Sequence, residues 1–179
     1  MNIFSVLSGL FAINNFKGYG IQRGITNDDY FALLGSFASV AGCLRFAWSS
    51  LTDHYSYKTV YGILCLTQVA LDFTVPLVAE KSWLYAIWIS AIMFCEGGHF
   101  TLLPNVLKKI YGDQGTALYG IAFSYTGVCS ILILILQQYV LDPESARSYN
   151  RFFYFNGVLS FASLVLLLTV FKPHKFAAK

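Results

Sequence analysis

One arginine stands inside an apolar run of this sequence, and its surroundings define the chemistry it could do. The stretch GCLRFAWSSLTDHYSYK, Gly42 to Lys58, places Arg45 three residues after Gly42 and four before Ser49, so a helix projects all three from one face. With the helix ending near Asp53, eight residues on, Arg45 lies roughly 12 Å below that end at about 1.5 Å per residue. An arginine at such depth costs about 2.5–3.5 kcal/mol on insertion scales, so it meets a partner or a watery cavity. Its planar guanidinium can grip a carboxylate with two parallel hydrogen bonds; it can equally form a structural ion pair or snorkel to the surface. Asp53 sits at a helix C-terminus, where its charge opposes the helix dipole, and calls for a cation or another helix's N-terminus. Lys58 opens the next apolar run, and a solvated turn with flanking charges is the plainer reading of this loop.

A second group lies in MFCEGGHFTLLPNVLKK, where Glu96 and His99 stand three apart on one helical face with Gly97 and Gly98 between them and Pro104 beyond. Paired glycines and a proline loosen a membrane helix, and freed backbone is tolerated where it lines a cavity. An ionisable pair at that depth is a candidate proton carrier or a counter-charge for Arg45. A neutral, hydrogen-bonded pair that fixes packing answers the same spacing. Asp72 stands nearer a helix end and reads as interfacial. Cys43, Cys65, Cys95 and Cys129 are scattered through apolar runs with no CxxC, and read as small buried hydrophobes. There is no GxSxG, HExxH, Walker A or GxGxxG, and His54, His99 and His174 lie far apart in the chain. Neither an enzyme's catalytic constellation nor a cofactor or metal motif is visible.

The elements that must hold these residues follow from composition. Of 179 residues 56% are hydrophobic and only 12% charged, about half the charged share of an ordinary soluble domain, so a bilayer is the solvent that suits the chain. A net charge of +3 without a basic run beyond Lys108 and Lys109 leaves no footprint for nucleic acid. The apolar start lacks the basic end and A-x-A site of a cleaved signal. About 20 apolar residues span the hydrocarbon as a helix, and six such segments can be placed: 2–19, 29–51, 59–78, 83–107, 116–141 and 149–171. The expectation is an all-α membrane protein of six transmembrane helices in one domain over residues 1–179, with short loops and antiparallel neighbours. An even count puts both termini on one side. Lys58, Lys108, Lys109, Lys172, Lys175 and Lys179 on that side face Lys17, Arg23, Lys81, Arg147 and Arg151 on the other, which leans toward cytoplasmic termini. Small residues recur at helical spacing, as in Gly120, Ser124 and Gly127 or Gly157, Ser160 and Ser163, and read as helix-packing stripes.

RFAWSSLTDHYSYK resembles the loop signature of major facilitator transporters. Ser49, Asp53, His54, Ser56 and Lys58 hold the places where glycine, aspartate, a basic residue, glycine and a basic residue are usual. GGHFTLLPNVLKKIYGDQGTALYGIAFSYTG is similar to the tenth and eleventh helices of the oxalate/formate antiporter and monocarboxylate transporter branch, and NNFKGYG to the end of their seventh. The resemblance implies that the chain corresponds to helices seven to twelve of a twelve-helix carrier of small organic anions, monocarboxylates or dicarboxylates. It also implies that a six-helix N-terminal half is missing, supplied by the same or another chain. By the same resemblance Arg45, four before the loop residue Ser49, is the carboxylate hook. Gly42, Glu96, His99 and Phe100 then line the site, Glu96 and His99 are the proton-coupling candidates, and Ser49, Asp53, His54 and Lys58 form a conformational latch. Two departures stand out: Ala41 occupies the place of the monocarboxylate transporters' aspartate, and residues 116–140 hold no charge where the oxalate carrier has a lysine. A different class of function, a half-length membrane scaffold or interaction subunit, suits the same six segments.

Overall fold

The computed structural model describes residues 2–170, and every regular element among them is helical. In chain order these are α1 (Asn2–Gln22), α2 (Asp28–Cys43), α3 (Phe46–His54), α4 (Tyr57–Val78), α5 (Ser82–Tyr111), a 3-10 turn (Gly112–Gln114), α6 (Gly115–Val140) and α7 (Ala146–Thr169). The helix starts are written locally. Asn27 caps α2 by accepting from the Asp29 and Tyr30 amides, ahead of two acidic residues that suit the helix N-terminus, and Ser56 caps α4 at Thr59. Gly24 and Gly112, at φ of 87° and 58°, turn the chain after α1 and α5.

The α5–α6 connection is the tightest in the fold. A Cβ on Gly115 would stand 2.7 Å from the Leu107 carbonyl oxygen, so only glycine lets the two helices meet there. The polar KKIYGDQG segment, expected as a loop from Lys108, is helical through Tyr111, because lysines at a helix C-terminus complement its dipole.

Helix α5 is the axis of the molecule, in contact with α1, α2, α3, α4 and α6, while α7 packs on α4 and α1. The larger core joins α1, α2, α5 and α7 through Phe11, Tyr19, Phe31, Tyr85, Ile92 and Phe153. Phe11 stacks on Phe152 at 5.0 Å and meets Phe153 edge-on at 5.3 Å. A smaller core of Trp48, Tyr61, Leu64 and Leu102 joins α3, α4 and α5. Outward faces are apolar, with Leu33, Phe37, Val40, Ile121, Leu134, Val158 and Leu168 exposed, as lipid contact requires. Four helical stretches are long and apolar enough to cross a membrane: Asp28–His54, Tyr57–Val78, Ser82–Val140, which takes in both α5 and α6, and Ala146–Thr169.

The structure refines further expectations. The segment expected as one span over 29–51 lies within one stretch long and apolar enough to cross a membrane, Asp28–His54, but is interrupted at Leu44 and Arg45 into α2 and α3. The stripe of Gly157, Ser160 and Ser163 does pack, with Gly157 against the Phe73 ring, whereas a Cβ on Gly120 or Gly127 would meet nothing within 4 Å. Of the four cysteines, Cys65, Cys95 and Cys129 are buried but Cys43 is exposed.

Candidate functional site

The α2–α3 junction places Arg45. Its backbone tightens to 3-10 spacing: the Arg45 amide bonds the Gly42 carbonyl at 3.3 Å, and the Trp48 amide bonds the Arg45 carbonyl at 3.1 Å. On α5, Gly97 lets its helix approach this junction closely. A Cβ there would stand 2.8 Å from both the Arg45 Cβ and the Gly42 carbonyl oxygen. Thr101, one turn on, donates its hydroxyl to the Gly97 carbonyl at 3.2 Å and to the Arg45 carbonyl at 3.4 Å. Gly98 accommodates Trp48 of α3, whose indole N–H donates to the Phe94 carbonyl at 3.2 Å. The paired glycines therefore seat the α2–α3 junction and Trp48 of α3 side by side against one turn of α5.

Arg45 is exposed in this chain, and among the described residues its guanidinium makes no ion pair or hydrogen bond. It borders two cavities. The first, about 440 Å³, lies between α1, α2 and α5 and is lined by Phe16, Ala38, Gly42, Met93, Glu96 and Phe100 among others. The second, about 500 Å³, runs toward Ser49, Thr101, Asn105, Tyr119 and Phe123. Phe100 lines both and packs on Phe123 at a ring distance of 5.7 Å. The first cavity thus offers one cation and one carboxyl group in a wall that is otherwise mostly apolar, with Ser39 and Cys43 as its remaining polar members.

That carboxyl group, Glu96, is 3% exposed, and among the described residues neither of its oxygens has a hydrogen-bond partner. It lies against Gly9 of α1, where any Cβ would collide with it. His99 turns elsewhere. Its Nε2 lies 2.6 Å from the Gln68 Oε1 and its Nδ1 3.5 Å from the Ser5 hydroxyl, with the Tyr61 ring edge-on at 5.5 Å. The Gln68 amide in turn donates to the Ser5 carbonyl at 2.7 Å. Glu96 and His99 share a helix but not a bond: the first borders the Arg45 cavity, the second ties α5 to α4 and α1.

The loop residues have separate fixtures. Ser49 accepts from the Asn105 amide at 2.6 Å, and Lys109 donates to the Thr52 carbonyl at 2.8 Å, which locks α3 to the C-terminal part of α5. Lys58 donates to the Leu168 carbonyl at 3.1 Å. Asp53 and His54 are exposed in the last turn of α3, and Asp53 forms no ion pair among the described residues.

Two polar clusters escape a reading by spacing. Asp72, expected at the interface, is fully buried inside the bundle. Its Oδ1 accepts from Ser8 at 2.6 Å and its Oδ2 from Ser160 at 3.4 Å. At the Gln22 end of α1, Arg23 donates to the Asn150 side chain at 2.8 Å and the Pro76 carbonyl at 3.3 Å, and lies over the Tyr19 ring at 5.3 Å. Apart from Tyr19, four residues before Arg23, the partners come from other helices, and no spacing within one helix signals them.

Among known proteins, the family model described as "Major Facilitator Superfamily" matches residues 2–179. "Apicoplast pyruvate carrier 1" of Toxoplasma gondii is 32% identical over 120 residues, covering 65% of this chain and 22% of that protein. The chain thus spans less than a quarter of the length of this curated relative. No solved structure matches it.

Proposed function

This chain belongs to the Major Facilitator Superfamily, and from that premise we propose that it moves small organic anions, monocarboxylates or dicarboxylates, across a membrane by alternating access. It is an integral multi-pass membrane protein of a transporter family and not an enzyme. In this reading α1, the α2–α3 pair, α4, α5, α6 and α7 are helices seven to twelve, and both termini are cytoplasmic. The matching N-terminal half, in the same or another chain, closes the cavities that border Arg45. Two halves rocking around a midplane site is the mechanism such a fold supports. Pyruvate, the substrate in the name of the curated relative, belongs to the same chemical class.

The observation that carries the proposal is Arg45: a guanidinium without a protein partner among the described residues, at a helix break, facing a cavity whose remaining wall is mostly apolar. A substrate carboxylate supplies the missing counter-charge, and the planar fork binds it with two hydrogen bonds. Gly42 and Phe100 shape the wall. Glu96 is the ionisable group beside the bound anion and the proton-coupling candidate of the site. His99 stands behind it, coupling α5 to α4 and α1. Ser49, Asp53, His54 and Lys58 form the latch toward the other half, and the exposed Asp53, without an ion pair among the described residues, supports that role.

The test is substrate affinity and exchange rate per correctly inserted protein in the assembled carrier. Arg45→Gln should abolish carboxylate binding, and Arg45→Lys should rescue poorly because it keeps the charge but not the fork. Unchanged affinity in well-inserted Arg45→Gln would remove the carboxylate hook.

A further inference from the structure

Asp72 presents a charge problem that the anion site does not solve. It is fully buried and faces Ser8 of α1, and Ser160 of α7 reaches its second oxygen. Hydroxyl donors stabilise a carboxylate but do not neutralise it, and an isolated buried anion is costly. Among the described residues, the charged and titratable groups facing it bring no cation. On α5 these are Cys95 and Glu96, while His99, three residues beyond Glu96, is engaged by Gln68; α1 and α7 contribute neutral Ser8 and Ser160. The two ion pairs among the described residues, Lys17–Asp28 and Arg23–Glu80, involve other groups.

A second, independent observation points at the same place. Asn156, also fully buried, has neither its amide nitrogen nor its oxygen hydrogen-bonded among the described residues. It stands one helical turn before Ser160, on the buried stripe of α7, and its neighbour Gly157 lies against Phe73, the residue after Asp72. The unsatisfied amide is therefore level with the carboxylate. A buried amide left unpaired is unfavourable, and a ligand between the two side chains removes that cost.

We infer that Asp72, Ser8, Ser160 and Asn156 form a buried binding site for a small monovalent cation, a proton or a sodium ion, separate from the Arg45 anion site. The donors are all oxygen and carry a single negative charge, which suits a hard monovalent cation; divalent ions draw more ligands and transition metals prefer nitrogen and sulfur. The site is linked to the anion cavity through α1. Ser8 bonds Asp72 while the next residue, Gly9, carries the Glu96 carboxyl against its backbone. Occupancy at Asp72 changes the field at Glu96 across one helix, which couples a cation to whatever the cavity holds.

The experiment reads the carboxyl group and not transport, so it stands apart from the anion-carrier reading. The purified chain, reconstituted in lipid, is followed by infrared difference spectroscopy. One arm varies pH in sodium-free choline buffer. The other adds sodium chloride, with choline chloride as control, at constant pH. Expected is a protonated-carboxyl band that disappears as pH rises, marking the proton, or on sodium addition alone, marking the sodium ion. The band should be lost in Asp72→Asn and retained in Glu96→Gln. Asn156→Ala, which keeps the carboxyl, should move the midpoint of the responding arm about tenfold, the equivalent of one lost hydrogen bond to a charged group. It also carries the assignment where Asp72→Asn fails to fold. A carboxyl signal unresponsive in both arms, or a midpoint unmoved by Asn156→Ala, overturns the inference.

Discussion

Substituting Gly97 tests the argument that α5 shapes the Arg45 junction. In Gly97→Ala the new methyl meets the Arg45 Cβ and the Gly42 carbonyl oxygen, both at 2.8 Å. Carbon contacts are comfortable at about 3.5–4.0 Å, so each falls roughly 1 Å short. Neither atom can rotate away, because one is backbone and the other is fixed to it. Overpacking of this kind costs about 1–3 kcal/mol. Replacing glycine in a helix also gains about 1 kcal/mol of propensity, which would mask part of the loss. Gly120→Ala supplies the correction: Gly120 lies in α6 with nothing within 4 Å, so it takes the same gain without the clash. Unfolding of both variants in detergent, followed by circular dichroism, should place Gly97→Ala about 1–3 kcal/mol below Gly120→Ala. Equal stability of the two would refute the claim that Gly97 sets the junction.

Cys43 lines the Arg45 cavity and is exposed while Cys65, Cys95 and Cys129 are buried, so a membrane-impermeant, water-soluble thiol reagent should modify Cys43 and spare the other three; an inert Cys43 in lipid would mean that the cavity is dry. His99→Ala should destabilise the bundle by about 1–3 kcal/mol, since the Gln68 oxygen it bonds is left unpaired in a buried site. His99→Ala with Gln68→Leu should recover part of that loss, and full additivity of the two changes in a double-mutant cycle would deny the bond.

The helices are legible in the sequence because lipid-facing runs of apolar residues end at polar turns, and Arg45 is legible because a lone cation in such a run has few reasons to be there. The break beside it is not. Neither Leu44 nor Arg45 is a helix breaker, and the glycine that fits closely against the junction, Gly97, is far along the chain on another helix. Glu96 and His99 share a face by periodicity, yet contacts from different helices decide their roles: Gly9 receives one and Gln68 the other. Asp72 reads as interfacial only while distance from a helix end is counted along α4 alone, whereas Ser8 and Ser160, which hold it, come from the two ends of the sequence. Lys108 and Lys109 read as loop residues by polarity, though Lys109 is a clamp onto the Thr52 carbonyl.

The three-residue turn between α5 and α6, closed by Gly115 against the Leu107 carbonyl, leaves no slack to absorb a displacement. A tilt applied to α6 therefore arrives at α5 as torque. Pro104 sits between that turn and Gly97, and a proline inside a helix leaves the carbonyl four residues earlier without its amide donor. That carbonyl belongs to Phe100, so the softest point of the lever coincides with the side chain that lines both Arg45 cavities. Bending at this point would shift Phe100 relative to both cavities while the Lys109 and Asn105 clamps hold the far arm to α3.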